Sequence, residues 1–232
     1  MIHEVAPDVR IYSSTWRHTA DWDNSLDIWG AGAYGCFPTD EMARLRKAGK
    51  TLWFTTDAQL LLDTPYCAVE RMNPYYCFAH GAQGYEFWAI GWWTYENYNP
   101  LRYGWYTYYP HTFTPTGATT MIRYPNGSGH LAYPGWLAGE DGPLSSIRLE
   151  AVRDGMEDYE YMALLRDRIT AARAKGRYIS GAEAALAEVS RLAAIPNGGG
   201  TYSTRILPDP GAIGRIRARL AREIIKLSEQ GG

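Results

Sequence analysis

The sequence at residues 38–55 reads PTDEMARLRKAGKTLWFT, and this stretch decides the fold. Residues 38–47 carry apolar side chains at helical spacing, and Gly49 just beyond them is typical of a helix end. Residues 51–55 are apolar and rich in β-forming side chains, which predicts a strand. A helix that leads directly into a strand indicates a βα unit and a parallel sheet.

The same alternation continues on both sides of this stretch. We predict strands at residues 9–13, 25–30, 51–55 and 85–93, with a further helix at 72–82. Alternating strands and helices are typical of α/β proteins with a parallel sheet. Because four strands are half of a (β/α)8 barrel, we predict the C-terminal half of a TIM barrel.

Beyond residue 93 the amino-acid composition and the predicted secondary structure change twice. Residues 94–130 are rich in Tyr, Pro, Gly, Asn and Thr, which predicts a long and functional loop. A short strand is predicted at residues 131–135. Helices are predicted at 145–171, at 181–194, and after Asp209-Pro210. We therefore expect a partial barrel domain at residues 1–172, followed by all-helical packing at residues 173–232.

The composition excludes some classes of protein and favours another. The formal net charge is −2, so we expect no nucleic-acid partner, and no apolar run has membrane-spanning length. Nine Trp and eighteen Tyr stand against only five Phe. Trp and Tyr combine a flat apolar face with a polar edge, which suits sugar binding, although a Trp- and Tyr-rich core is an equal alternative.

The cysteines, the histidines and the N-terminus complete this picture. Cys36, Cys67 and Cys77 form no metal-binding motif and are expected to be small buried residues. The five histidines are not spaced as metal ligands, so we expect neither a metal nor another cofactor. The first residues lack the features of a signal peptide and resemble the end of a helix running into a strand. We therefore expect the chain to begin partway through a fold.

Four acidic residues lie near the ends of predicted strands or within the aromatic one: Asp27, Asp57, Glu86 and Glu96. Glu86 lies in an apolar run, where a charge must be paired or face a cavity, unless it occupies an exposed strand start. Asp27 lies beside Trp29, so it suits holding a sugar hydroxyl while the indole stacks. Its alternative is a structural hydrogen bond to the backbone.

One helix motif and four strand motifs resemble a known family. The helix sequence at residues 146–161, SIRLEAVRDGMEDYEY, resembles the signature of the domain of unknown function 4091, also described as the catalytic domain of glycoside hydrolase family 123. The shorter motifs follow the family's order: Asp27-Ile28-Trp29, Leu52-Trp53-Phe54-Thr55, Gly84-Tyr85-Glu86-Phe87-Trp88-Ala89-Ile90 and Tyr133-Pro134-Gly135. The similarity spans about residues 5–170.

The resemblance implies a (β/α)8 barrel with β-N-acetylgalactosaminidase-like activity on glycans that contain an N-acetylhexosamine. It also implies a retaining, substrate-assisted mechanism. In this mechanism the 2-acetamido oxygen of the substrate attacks the anomeric carbon, an Asp steadies the acetamide, and a neighbouring Glu is the general acid/base. This differs from the usual pair of protein carboxylates. A periplasmic or extracellular location is implied as well.

The chain departs from the family pattern at the catalytic dyad. The family's adjacent Asp-Glu pair lies upstream of the strand predicted at residues 9–13. The adjacent acidic pairs present here, at positions 40–41, 140–141 and 157–158, do not match that position. We therefore expect the dyad upstream of Met1, no catalytic residue within the chain, and an inactive chain when the N-terminal half of its barrel is missing.

What remains is expected to be half of a sugar pocket. Its predicted substrate-binding residues are Asp27, Trp29, Trp53, Glu86, Trp88, Trp92 and Tyr133. Glu150, Arg153 and Glu157 are expected to form a structural ion-pair cluster. Two alternatives stay open: a non-catalytic carbohydrate-binding module with an aromatic platform, and a structural or interaction domain with an aromatic core.

Overall fold

The structure is a computed structural model and describes residues 2–15, 19–32, 39–56, 67–87, 90, 108–111, 120–123, 131–193 and 209–229. Within these ranges one four-stranded sheet has the strand order β1-β2-β3-β4. Its strands are β1 (Tyr12–Thr15), β2 (Ile28–Gly32), β3 (Thr51–Thr56) and β4 (Gly84–Phe87). All neighbouring pairs are parallel, which confirms the α/β class; the half-barrel remains a prediction.

Strand β1 begins at Tyr12 rather than at Val9, where the sequence predicted it. The Val9 N–H donates to the Ala6 carbonyl at 3.2 Å in a turn. The Ile11 N–H donates to an Asp27 carboxylate oxygen at 2.8 Å. Because these donors are already used, the register with β2 starts only where Tyr12 pairs with Ile28.

Three helices accompany the sheet: α1 (Ile2–Val5), α2 (Thr39–Lys47) and α3 (Ala68–His80). Helix α2 agrees with the prediction for residues 38–47. Helix α3 begins and ends earlier than the predicted 72–82. It ends at His80 because Gly81 adopts a left-handed φ of 66° and bonds the Cys77 and Phe78 carbonyls through its N–H.

The three helices predicted in the C-terminal part are present as α4 (Ile147–Ala174), α5 (Ser180–Leu192) and α6 (Gly211–Glu229). Ser146 caps α4 by accepting a hydrogen bond from the Leu149 N–H at 3.3 Å. One hydrophobic core joins these helices to α2, α3 and the sheet; among its buried members are Trp29, Leu45, Phe54, Tyr76, Met162, Val189 and Leu220. The domain boundary predicted after residue 172 falls in the last turn of α4, and a division there stays a prediction.

The apolar stripe of α4 is the clearest correction to the helix predictions. Apolar side chains at helical spacing along this helix predict a buried stripe made of Leu149, Val152, Met156, Tyr159 and Ala163. The buried residues are Arg148, Gly155, Asp158, Met162, Leu165, Ile169 and Ala172. The prediction failed because a glycine and two charged residues lie on the buried face, whereas Met156 is 45% exposed.

Short antiparallel pairs complete the described chain. Strands β5 (Tyr108–His111) and β6 (Thr120–Arg123) pair inside the segment predicted as a loop. Strand β7 (Ala132–Pro134) pairs with β8 (Pro143–Ser145), so the strand predicted at residues 131–135 is present. Among the described helices, none combines the length and apolar character needed to cross a membrane.

Candidate functional site

The four-stranded sheet has two chemically different faces, because side chains alternate between faces along each strand. One face packs on the helices through Trp29, Leu52 and Phe54. The strand register places on the other face Tyr12, Ser14, Gly30, Trp53, Thr55, Gly84 and Glu86. We call this set of residues the Trp53 face.

Two glycines allow aromatic rings to lie close against the backbone of this face. A Cβ atom at Gly84 would lie 2.7 Å from Cδ1 of Trp53, and one at Gly30 would lie 2.7 Å from the Tyr12 hydroxyl oxygen. The Trp53 and Tyr12 rings lie 5.0 Å apart between centroids, at an interplanar angle of 39°. Together the two rings make an aromatic floor across the sheet.

Glu86 lies one step beyond this floor, towards the carboxyl ends of the strands. The register pairs it with Thr55, whereas Gly84 pairs with Trp53. Its Oε2 atom is buried and accepts no hydrogen bond from the described part of the chain. Burial raises the pKa of the Glu86 carboxyl above its ordinary value, because removal from water disfavours the charged form. The carboxyl can therefore accept a hydrogen bond from a ligand or, when protonated, donate one.

Tyr133 lies on β7, beside the chain that leaves the carboxyl end of β4. The Ala132 N–H donates to the Ile90 carbonyl at 2.8 Å, which fixes β7 there. The Arg148 guanidinium donates a hydrogen bond to the Tyr133 hydroxyl, and its Cζ lies 5.4 Å from the centre of the same ring. Arg148 is itself buried, so the Tyr133 side chain is held in one orientation.

Asp27 lies at the other end of the sheet, immediately before β2. Its carboxylate accepts the Ile11 N–H at 2.8 Å and lies 3.3 Å from Nε2 of His3. The Ile11 hydrogen bond is the largest of the effects that lower the pKa of this carboxyl. These contacts favour the structural alternative for Asp27, and we do not include it in the site.

Trp29 is fully buried, with 0% exposure, in the core between the sheet and the helices. Its ring lies 6.5 Å from that of Trp22 between centroids. A side chain enclosed in this way has no face left for a sugar ring. The prediction that Trp29 lines a pocket is therefore corrected: Trp29 is a core residue.

The remaining predicted site residues divide in two. Trp53 and Glu86 lie on the Trp53 face. Tyr133 lies near the carboxyl end of β4, and ligands in α/β proteins bind at the carboxyl ends of the strands. Trp88 and Trp92 lie outside the described residues, as do Asp57 and Glu96. Sequence reasoning missed Tyr12; its alternation within the predicted strand at residues 9–13 was the available signal, but not its proximity to Trp53.

The acidic pairs considered in the sequence lie away from this face. Glu41 opens α2 and pairs with Arg44 at 2.7 Å. Residues 140–141 are exposed between β7 and β8, and residues 157–158 lie within α4. Among the described residues of the Trp53 face, Glu86 is the only carboxyl group, so this part of the chain contains no pair of adjacent acids for hydrolysis.

The described residues contain no cluster of three or more His, Cys, Asp or Glu side chains that could hold a metal ion. Cys77 is a free thiol and is buried as expected, whereas Cys67 is only partly buried. Cys36 lies outside the described residues.

The expected cluster of Glu150, Arg153 and Glu157 is present as exposed ion pairs. Arg153 lies 2.5 Å from Glu150 and 4.0 Å from Glu157. Glu157 also reaches Arg217 of α6 at 2.9 Å. The two pairs made by Arg153 lie within α4, and the pair between Glu157 and Arg217 joins α4 to α6.

Comparison with solved structures identifies a similar fold. A family 123 glycoside hydrolase from Clostridium perfringens, solved in a structural analysis of glycolipid glycan hydrolysis, is similar with a TM-score of 0.57 and 15% sequence identity. The similarity covers 95% of this chain but only 36% of that chain, so the present chain spans about a third of that protein's length.

Sequence comparison gives the family. No curated protein matches the chain. A family model described as glycoside hydrolase 123, catalytic domain, matches residues 1–165, which is more than half of the 232 residues. The match contains the whole sheet, the Trp53 face and most of α4. The chain therefore belongs to glycoside hydrolase family 123.

Proposed function

We propose that this chain supplies part of the glycan-binding pocket of a family 123 glycoside hydrolase, and that the pocket accepts an N-acetylhexosamine. The observation that carries the proposal is the Glu86 carboxyl. Its Oε2 atom is buried without a hydrogen-bond partner among the described residues, and it lies beside the floor made by Trp53 and Tyr12.

The chemistry of this arrangement suits a sugar. The apolar C–H face of a sugar ring packs on an indole such as Trp53, while the sugar's hydroxyl groups need polar partners. The unpartnered oxygen of Glu86 accepts one of these hydroxyls, which compensates for the cost of its burial. Tyr133, oriented by Arg148, adds a second polar aromatic group on the carboxyl-end side of the sheet.

For the complete protein we propose a substrate-assisted, retaining mechanism. The 2-acetamido oxygen of the substrate attacks the anomeric carbon, and an adjacent Asp-Glu pair from outside this chain holds the acetamide and protonates the leaving oxygen. This assignment rests on the family membership of the chain. The lack of a second carboxyl among the described residues of the Trp53 face supports it. We also propose that the strands of a second barrel half lie against this sheet.

The test is a ligand titration of the chain with N-acetylgalactosamine, followed by amide NMR. We expect saturable shifts, including the indole N–H of Trp53. Glu86→Gln should weaken binding about threefold to tenfold, because one hydrogen bond to a charged group becomes a neutral one. Glu160→Gln, an exposed change on α4, should leave the affinity unchanged. Equal affinities for wild type and Glu86→Gln would refute the assignment of this pocket.

A second candidate is favoured by the single carboxyl of the Trp53 face: a chain that binds glycans without cleaving them. An aryl N-acetylgalactosaminide distinguishes the two. We expect binding and no release of the aryl group by this chain alone. Turnover would place the catalytic acids inside the chain, in its undescribed segments, and would remove the need for an upstream dyad.

A further inference from the structure

The Tyr12 side chain has a buried hydroxyl group on the Trp53 face. Its hydroxyl group lies over Gly30, where a Cβ atom would approach the phenolic oxygen to 2.7 Å. This oxygen is buried, and the described residues offer it no hydrogen-bond partner. Buried hydroxyl groups in proteins are ordinarily bonded, so an unbonded one destabilises the fold and calls for an explanation.

The neighbours of the hydroxyl explain why the chain leaves it unsatisfied. Gly30 has no side chain, and its backbone pairs with that of Ser14 in the parallel register between β1 and β2. The Ser14 Cβ lies 3.1 Å from the Cβ position at Gly30, so Ser14 crowds the same place. The ring of Trp53 lies 5.0 Å from that of Tyr12 between centroids. None of these groups accepts the phenolic proton.

The position of the hydroxyl coincides with the floor of the proposed pocket. Tyr12 begins β1, but its ring leans along the sheet to the level of Gly30, which is also the level of Trp53 and Gly84. The next level towards the carboxyl ends contains Gly32, Thr55 and Glu86. The Tyr12 hydroxyl therefore lies on the same face of the sheet as Glu86, one level away from it.

We propose that the Tyr12 hydroxyl is a ligand-contacting group in the floor of the pocket, where it donates a hydrogen bond to an oxygen of the bound sugar. This inference rests on the proposed function, because it concerns the same pocket. It makes Tyr12 and Glu86 a complementary pair: Tyr12 donates a hydrogen bond and the Glu86 carboxyl accepts one. A sugar, whose hydroxyl groups both donate and accept, satisfies the two buried groups together.

The inference predicts opposite effects on binding and on stability for Tyr12→Phe. Removal of the hydroxyl should weaken binding of N-acetylgalactosamine about threefold to tenfold in the NMR titration. The midpoint of thermal unfolding of the free protein should stay equal or rise, since no internal hydrogen bond is lost. Tyr178→Phe is the matched control, because Tyr178 is 79% exposed, and it should change neither quantity.

Each outcome is decisive. If Tyr12→Phe binds the sugar as wild type does, the inference is wrong. It is also wrong if the unfolding midpoint of the free variant falls by several degrees, because the hydroxyl then has a structural partner. If wild type binds and Glu86→Gln is weakened while Tyr12→Phe is not, the pocket stands without Tyr12. If wild type shows no saturable binding, the proposed function and the inference fail together.

Discussion

Two carboxyl groups of this chain have buried oxygen atoms with opposite surroundings. Asp158, on α4, has a fully buried side chain and is met by Arg71 at 2.6 Å, by the Tyr75 hydroxyl at 2.7 Å, and by Arg217 at 3.3 Å. Glu86, on β4, is partly buried and has an oxygen without a hydrogen-bond partner in the described chain. Burial raises the pKa of both groups, and for Asp158 the hydrogen bond and the two guanidinium groups act in the opposite direction.

The different surroundings of the two carboxyl groups indicate different roles, one in holding the helices together and one in contacting a ligand. The Asp158 cluster joins α3, α4 and α6, and its charges compensate one another inside the protein. Its Oδ1 atom makes no hydrogen bond but lies 3.3 Å from an Arg217 nitrogen, so each oxygen of Asp158 has an internal cation beside it. Glu86 has a buried oxygen that no hydrogen bond from the described chain compensates. An unsatisfied buried polar atom of this kind calls for an explanation, and ligand binding is one. Of the two acidic groups, the one inside the family signature is therefore the structural one.

The substitution with the greatest predicted effect on stability removes the buried Asp158 carboxylate. Asp158→Ala should lower the free energy of unfolding by about 3–5 kcal/mol, because it leaves Arg71 and Arg217 facing each other without the buried carboxylate. Chemical denaturation measures this loss. Glu160→Ala, an exposed change on the same helix, should stay within about 0.5 kcal/mol of wild type. A loss below about 1 kcal/mol for Asp158→Ala would show that the cluster does not hold the helices together.

The next effect concerns the close approach that allows this cluster to form. A Cβ atom at Gly155 would lie 2.8 Å from the Arg71 carbonyl oxygen and 3.0 Å from Pro74 Cγ. Gly155→Ala should therefore destabilise the protein by about 1–3 kcal/mol. The control is Gly214→Ala on α6, where no atom lies within 4 Å of the new Cβ. Gly214→Ala should stabilise by about 0.5–1 kcal/mol, and equal effects at the two positions would contradict the packing argument.

The weakest predicted effect on stability concerns the Glu86 carboxyl. In the folded state the pKa of the Glu86 carboxyl lies above its ordinary value of 4.5. The native state therefore binds the proton more tightly than the unfolded state does. Stability linked to Glu86 is thus fully present below pH 4.5 and is lost as the pH rises through the raised value. Glu86→Gln, which stays neutral, should therefore be slightly more stable than wild type at neutral pH.

The difference in stability between Glu86→Gln and wild type should shrink as the pH falls towards 4.5, because the wild-type carboxyl is then protonated and neutral too. Unfolding curves of both proteins at a series of pH values test the expectation. Glu160→Gln should track wild type throughout. A gain for Glu86→Gln that does not change with pH would mean that charge burial is not its cause.

Much of the fold was predictable because its signals are local. Helix α2, the C-terminal helices and the strand β3 lie close to their predicted bounds. Apolar spacing and glycine stops report backbone conformation within a few residues. The stripe of α4 was not predictable in this way, because its buried face includes Arg148, Gly155 and Asp158, which a search for apolar periodicity passes over.

The site was predictable only in part. Trp29 and Trp53 both lie in apolar strands of similar composition, yet one is in the core and the other is on the opposite face. The register between β2 and β3 pairs Trp29 with Leu52 and Gly30 with Trp53, and this offset decides their faces. Nothing near either residue in the sequence specifies that register.

Local sequence patterns were enough to predict the alternation of strands and helices, the C-terminal helices and the family motif, because each depends on residues close together in the chain. Which aromatic and acidic side chains lie in the core, and which lack an internal partner among the described residues, became clear only from the three-dimensional fold. The reason is that burial and hydrogen-bond partners come from distant segments. Asp158 finds Arg71 and Arg217 on other helices, whereas Glu86 finds no such partner in the described chain.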